Sequence, residues 1–276
     1  MRPQIIPVTK IASVIKEELD ERYYGLGLDE SVAGDFVARD PVRFPRHFAG
    51  LHQKNFHAKK LSREERADIE VAAFLAATIA WGQRKAILAS AERMFALMGG
   101  RPGEFVLSGD FGGLPEGCVH RTFFGNDLRY FCRGLKFCYD RYDSLENLFA
   151  GAGGLWQGIA LFRREMAAGN RGTESKHVAN PEGGAACKRI NLALRWLVRG
   201  DAVDIGLWSK VSPAELRIPL DVHVARGARK LGLLQRKSND RKAVEELTEA
   251  LRGFCPEDPV RYDLALFEED RLGDEG

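Results

Sequence analysis

The sequence predicts an all-α fold of many short helices, and three observations predict it. Apolar residues recur three and four positions apart in one segment after another, which is the period of a helix with one buried side. Glycine, proline and capping side chains punctuate those segments at their ends. No run alternates apolar and polar residues over the length of a strand, and no internal repeat is present. With 276 residues the chain is long enough to bury a sizeable core.

The elements follow in order. Residues 7–24 read as an amphipathic helix with Ile11, Val14, Ile15 and Leu19 on one side. In DPVRFPRHF, Pro41 and Pro45 argue against a regular helix while Phe44 and Phe48 call for burial, so residues 40–48 are expected as an ordered loop on the core. His47, His52 and His57, spaced five apart, do not share a helical face and indicate no metal site. Residues 66–98 carry a nearly all-apolar, buried helix through Ile69, Leu75 and Ile79, a break at Trp81-Gly82-Gln83, and a second helix through Ile87, Met94 and Met98 closed by Gly99 and Gly100. The break stands where a chain leaving the core presents side chains to a cleft.

Residues 101–150 add short helical pieces dense in aromatic and basic side chains. Arg121, Arg129, Arg133 and Lys136 among Phe123, Phe124, Tyr130 and Phe131 suit nucleic acid, but core aromatics beside solvated arginines are the plainer account. Toward the end, Asn239 or Asp240 caps a helix through Val244, Leu247 and Leu251, and Asp258-Pro259 opens a last short helix, PVRYDLALF. Residues 268–276 read as a frayed acidic tail.

Composition excludes several classes. The longest apolar run, within VAAFLAATIAW, is far short of the roughly 20 residues of a spanning helix. The amino terminus lacks the apolar core of a signal peptide, so a cytoplasmic, soluble protein is expected. The five cysteines are scattered without a tight CxxC pair, which indicates neither a disulfide framework nor a zinc site. The net charge is only +2, yet residues 176–242 hold fourteen basic residues against six acidic ones, a local bias that suits a phosphate backbone.

That basic region contains the two residues of greatest chemical interest. Lys188 opens a segment in which Asn191, Arg195 and Arg199 share its helical face and Ile190, Ala193, Leu194, Leu197 and Val198 fill the other. Asp221 follows Pro219 and precedes Val224, Ala225, Ala228 and Leu231 at helical spacing, ended by Gly232, so it is a helix N-cap candidate. The two stand 33 residues apart.

IPLDVHVARGARKLGLL resembles the aspartate-led helix start of the helix-hairpin-helix DNA glycosylases, the superfamily of endonuclease III and the 8-oxoguanine glycosylases. FLAATIAWGQRKAILASAERMF resembles the helix, break and helix with which those enzymes carry a glutamine or its neighbour into the DNA minor groove. With KRINLALRWLVR as a further mark, the chain looks nearest to an uncharacterised bacterial family within that superfamily. The likeness spans roughly residues 66–267, with residues 1–65 as an extension packed on the core. Where the superfamily carries its Leu-Pro-Gly-Val-Gly hairpin, this chain has NPEGGAACKR, so the hairpin is degenerate. A degenerate hairpin and a wide gap between lysine and aspartate are similar to the archaeal 8-oxoguanine glycosylase branch.

The resemblance implies helices in two lobes around a cleft, no iron-sulfur centre and no other cofactor, and damaged double-stranded DNA as the partner of a monomer. It implies base excision with strand cleavage on an oxidised purine such as 8-oxoguanine. Asp221 would stabilise the positive charge that develops on the sugar, and Lys188 would attack C1′. Burial, neighbouring Arg189 and Arg195, and a place at a helix amino terminus would all favour the neutral amine. Trp81, Gln83 and Phe267 would wall the pocket for a flipped base, with His223 and Arg226 near the phosphates. The alternative reading is a noncatalytic nucleic-acid binder on the same scaffold, which the eroded hairpin motivates.

Overall fold

The computed structural model describes residues 8–27 and 30–272. Residues 1–7, within the stretch read for a signal peptide, and residues 273–276 of the acidic tail lie outside that range. The described residues are mostly helical, as the apolar spacing predicts: α1 Val8–Gly27, α2 Glu30–Ala38, α3 Arg43–Leu51, α4 Gln53–His57, α5 Arg63–Thr78, α6 Arg84–Leu97 and α7 Pro102–Ser108. A small antiparallel hairpin follows, β1 Cys118–His120 with β2 Phe123–Phe124. Then come α8 Gly125–Tyr142, α9 Leu145–Ala150, α10 Leu155–Ala168, α11 Lys188–Val198, α12 Val222–Lys230, α13 Arg241–Arg252 and α14 Asp263–Leu272.

Helix α5 is the centre of the molecule. Ser62 and Glu65 form a capping box at its start. Every residue from Ala67 to Thr78 is buried, because α3, α7 and α11 pack around it. A helix enclosed on all sides keeps its polar groups only if each is bonded, and Glu70 meets that condition. Its carboxylate accepts hydrogen bonds from the Tyr139 hydroxyl and the Trp208 indole N–H, both at 2.8 Å, and from the backbone N–H groups of Leu145 and Glu146. Burial pushes its pKa up, and the bonds from Tyr139, Leu145 and Trp208 together with the charge of Arg66 pull the other way. On the next turn Arg66 pairs with Glu146, which also accepts from the backbone N–H groups of Ser209 and Lys210. Two acids therefore fasten α5, α8, α9 and the segment after α11 to one another.

Some local expectations are corrected. Residues 43–51 form a helix rather than a loop, because Pro45 falls in the first turn, where no backbone N–H is needed for an intrahelical bond. Phe44 and Phe48 are buried as expected. In α1, Leu19 is buried but Val14 is among the most exposed apolar side chains, so Val14 does not belong to the packed face. The hairpin of β1 and β2 escaped a search for alternation, since strands of three and two residues are too short to show any. Among the aromatics around it, Phe123 and Phe131 are core residues and Phe124 is exposed. Helix α14 runs on through Leu272, past the point where fraying was expected.

The residues ahead of α5 share its core. Leu19, Ala33, Val42, Phe44 and Phe48 belong to the same continuous apolar cluster as α5 and α11. Helices α8 and α10 approach so closely that a Cβ on Gly134 would lie 2.5 Å from the Met166 sulfur.

Glu70→Ala would orphan four buried donors at once. A loss of about 3 kcal/mol or more is expected, read as a lower urea midpoint than the wild type, with Glu70→Gln losing less.

Candidate active site

The site is built where three helix ends meet. Helix α11 starts at Lys188, directly after Cys187, whose left-handed backbone (φ 52°) turns the chain into the helix. Helix α12 starts after Asp221, the N-cap. Its Oδ1 accepts hydrogen bonds from the backbone N–H groups of His223 and Val224, both at 2.9 Å. Helix α14, packed along α12, starts at Asp263.

The other carboxylate oxygen of Asp221, Oδ2, lies 3.2 Å from the Lys188 amine. The cap and the ion pair thus use different oxygens of one side chain, so capping fixes the carboxylate in the orientation that meets the lysine. Both residues line one cavity of about 570 Å³, a size that suits a small organic group.

Six of the nine residues singled out in the sequence line this cavity: Lys188, Asp221, Trp81, His223, Phe267 and Arg195. Trp81 is half-buried. Its ring stacks on His177 at 5.8 Å with the planes 20° apart, and the Arg189 guanidinium lies over it at 5.1 Å. His120, held by the Ser90 hydroxyl, donates to the Trp81 carbonyl at 2.9 Å, so the chain break is anchored from beneath. Gly82 takes φ 95°, a backbone that glycine adopts without strain, and turns the chain toward α6. His223 meets the Phe267 ring edge-on, 5.1 Å between centroids.

The remaining three stand outside the cavity wall. Gln83 is exposed at the N-cap of α6 and makes no side-chain cap bond. Arg226 is exposed on α12. Arg189 turns inward, donating to the Thr78 carbonyl at 3.0 Å, and burial lowers its pKa.

Arg195 differs from its expected role. It lines the cavity, but its guanidinium is buried and its charge is met by Asp204 and Asp263, with Nε and Nη2 3.2 and 3.1 Å from Asp204 Oδ1. Burial alone would lower its pKa, and the two carboxylates more than offset that. Arg199, read from the sequence as part of the same polar face, is likewise buried against Asp201, Asp204 and Asp258. The polar face of α11 is therefore an internal ion network. Arg229 and Arg236 also spend their charge locally, on loop carbonyls and on Asp240. The basic bias of residues 176–242 is not one continuous surface.

Asp263 was missed. It is buried in the cavity wall, with Oδ2 accepting from Arg195 and Oδ1 without a hydrogen-bond partner among the described residues. Burial raises its pKa to about 6, with the negative charge of Asp221 adding to the rise and Arg195 opposing it. A signal was available, since Asp263 stands four residues before Phe267 and so shares its helix face. Asp40 and Phe36 also line the cavity, from the segment ahead of α5, and burial raises the Asp40 carboxyl as well.

A family model described as a protein of unknown function, DUF2400, matches residues 40–271. The chain belongs to the DUF2400 family. No curated protein and no solved structure matches it. The stretch matched by DUF2400 begins at Asp40 and runs past Phe267, so it contains every cavity residue named above except Phe36.

Arg195→Met would leave buried Asp263 without its cationic partner and Asp204 with Arg199 alone. A loss of about 3 to 5 kcal/mol is expected in chemical denaturation at neutral pH, with part of it recovered in mild acid as the carboxyls take up protons.

Proposed function

We propose that this chain is a DNA base-excision glycosylase that also cleaves the strand, acting on an oxidised purine such as 8-oxoguanine. The observation that carries the reading is the 3.2 Å approach of the Lys188 amine to Asp221 inside a cavity large enough for one base. An amine and a carboxylate 33 residues apart in the chain meet at one point, in a wall that also holds Trp81 and Phe267.

The chemistry follows from those groups. The base leaves with the electron pair of its bond to C1′, and positive charge builds on the sugar ring. Asp221, held by its cap bonds, faces that charge without reorganising. The proton that Lys188 loses goes to the departing base, so that the neutral amine attacks C1′ while Asp221, 3.2 Å from it, keeps its charge. The new C–N bond replaces the bond to the base. Ring opening then gives a Schiff base, from which loss of a proton at C2′ expels the 3′ phosphate. Trp81 and Phe267 offer π faces to a flipped base. The unpartnered Oδ1 of Asp263 suits a purine whose pairing edge carries N–H donors, as guanine and 8-oxoguanine do.

Borohydride is expected to trap a covalent complex between the wild type and duplex DNA containing 8-oxoguanine, and Lys188→Ala is expected to trap none. Asp221→Asn keeps a cap acceptor and should fold normally while releasing base about a hundredfold more slowly or worse. Asp221→Ala should cost a further ~1 kcal/mol of stability. A wild type that binds DNA regardless of lesion, and never traps, would leave a noncatalytic binder in place of the enzyme.

Single-turnover release is expected to decline as the pH falls through about 6, where Asp263 takes up a proton and its acceptor oxygen is lost. Asp263→Asn should remove that acid limb. A limb that persists in Asp263→Asn would assign it to another group.

A further inference from the structure

Arg84, the first residue of α6, lines the cavity and rests against two aromatic rings from opposite ends of the chain. Its guanidinium carbon is 5.8 Å from the centre of Phe36 on α2 and 6.0 Å from the centre of Phe267 on α14. All three side chains line the cavity. The only acid paired with Arg84 among the described residues is Asp40, at 3.6 Å, beyond hydrogen-bonding distance and with the arginine side chain 41% exposed, so the tether is weak.

A guanidinium is a planar, weakly hydrated cation that rests on π faces. A purine ring makes the same demand on its surroundings, a flat group flanked by aromatic carbon. We propose that Phe36 and Phe267 form a slot for one planar heterocyclic base, and that Arg84 occupies the slot until a base displaces it. Phe36 is then a specificity-determining wall supplied by the segment ahead of α5, and it precedes the stretch that defines the family match. His223, edge-on to Phe267, holds the opposite wall. The displaced guanidinium moves toward solvent, where a phosphate can receive it. The identity of the occupant as a purine rests on the repair reading, whereas the slot itself rests on the three side chains.

Equilibrium titration of the full chain with the nucleoside 8-oxoguanosine tests this. Phe36→Leu keeps apolar volume and removes the π face, so it is expected to weaken binding about tenfold, with Phe36→Trp restoring it. Arg84→Ala is expected to bind as tightly as the wild type or more so, because the resident competitor is gone. Three results would each overturn the slot: Phe36→Leu binding like the wild type, Arg84→Ala losing as much as Phe36→Leu, or a wild type that takes up no nucleoside. Base release plays no part in this titration, so a failure of the slot and a failure of the repair reading show in different experiments.

Discussion

The ion network on the inner face of α11 is the constraint on which the site depends. Arg195 and Arg199, one turn apart, are both buried, and between them they hold Asp201, Asp204, Asp258 and Asp263. Those acids come from the segment after α11, from the turn before α14, and from α14 itself. Each partner removed would strand a charge in the interior, so the network fixes positions more firmly than its net energy suggests. Lys188 stands on the same helix two turns ahead of Arg195, roughly 10 Å along the axis. The guanidiniums lock the helix, and the helix aims the amine.

Charge balance within that network explains the behaviour of Asp263. Four carboxylates share two guanidiniums, so the acids are under-compensated in a buried setting. The Asp204 and Asp258 carboxyls are pushed up by burial, and Asp263 rises to about 6. Asp263, which carries that excess, lines the cavity, and its own Oδ1 has no hydrogen-bond partner among the described residues. A structural network and a chemical site thus share one residue, and the protonation of the second is tied to the packing of the first.

Much of this was legible in the sequence because it is local. The apolar run of α5, the break at Trp81-Gly82-Gln83, the stripe of α6 and the cap at Asp221 all declare themselves within about a dozen residues. The pairing of Lys188 with Asp221 required the resemblance, since nothing local links positions 33 apart. What periodicity could not supply was the sign of each polar face. Arg195 and Arg199 at helical spacing look the same whether they meet solvent or buried aspartates, and only the return of residues 201–204 and 258–263 decides it. Asp40 and Phe36 were invisible for the same reason, because an extension packed on the core gives no sign of which cavity it closes.

The distribution of charge inside the cavity constrains what can enter it. Asp40, Asp221 and Asp263 face Lys188, Arg84 and Arg195, so the lining carries acids and bases in equal number. A phosphate drawn inside would lose its hydration to a lining whose cations are matched one for one by carboxylates. On the repair reading proposed above, a neutral heterocycle meets no such cost and gains two aromatic faces, and a sugar carbon turning positive would meet the fixed carboxylate of Asp221. Arg226 on α12 and Lys85 on α6 are exposed and do not line the cavity. On that same reading, a lining with no net charge and two aromatic rings favours the neutral base over the phosphate.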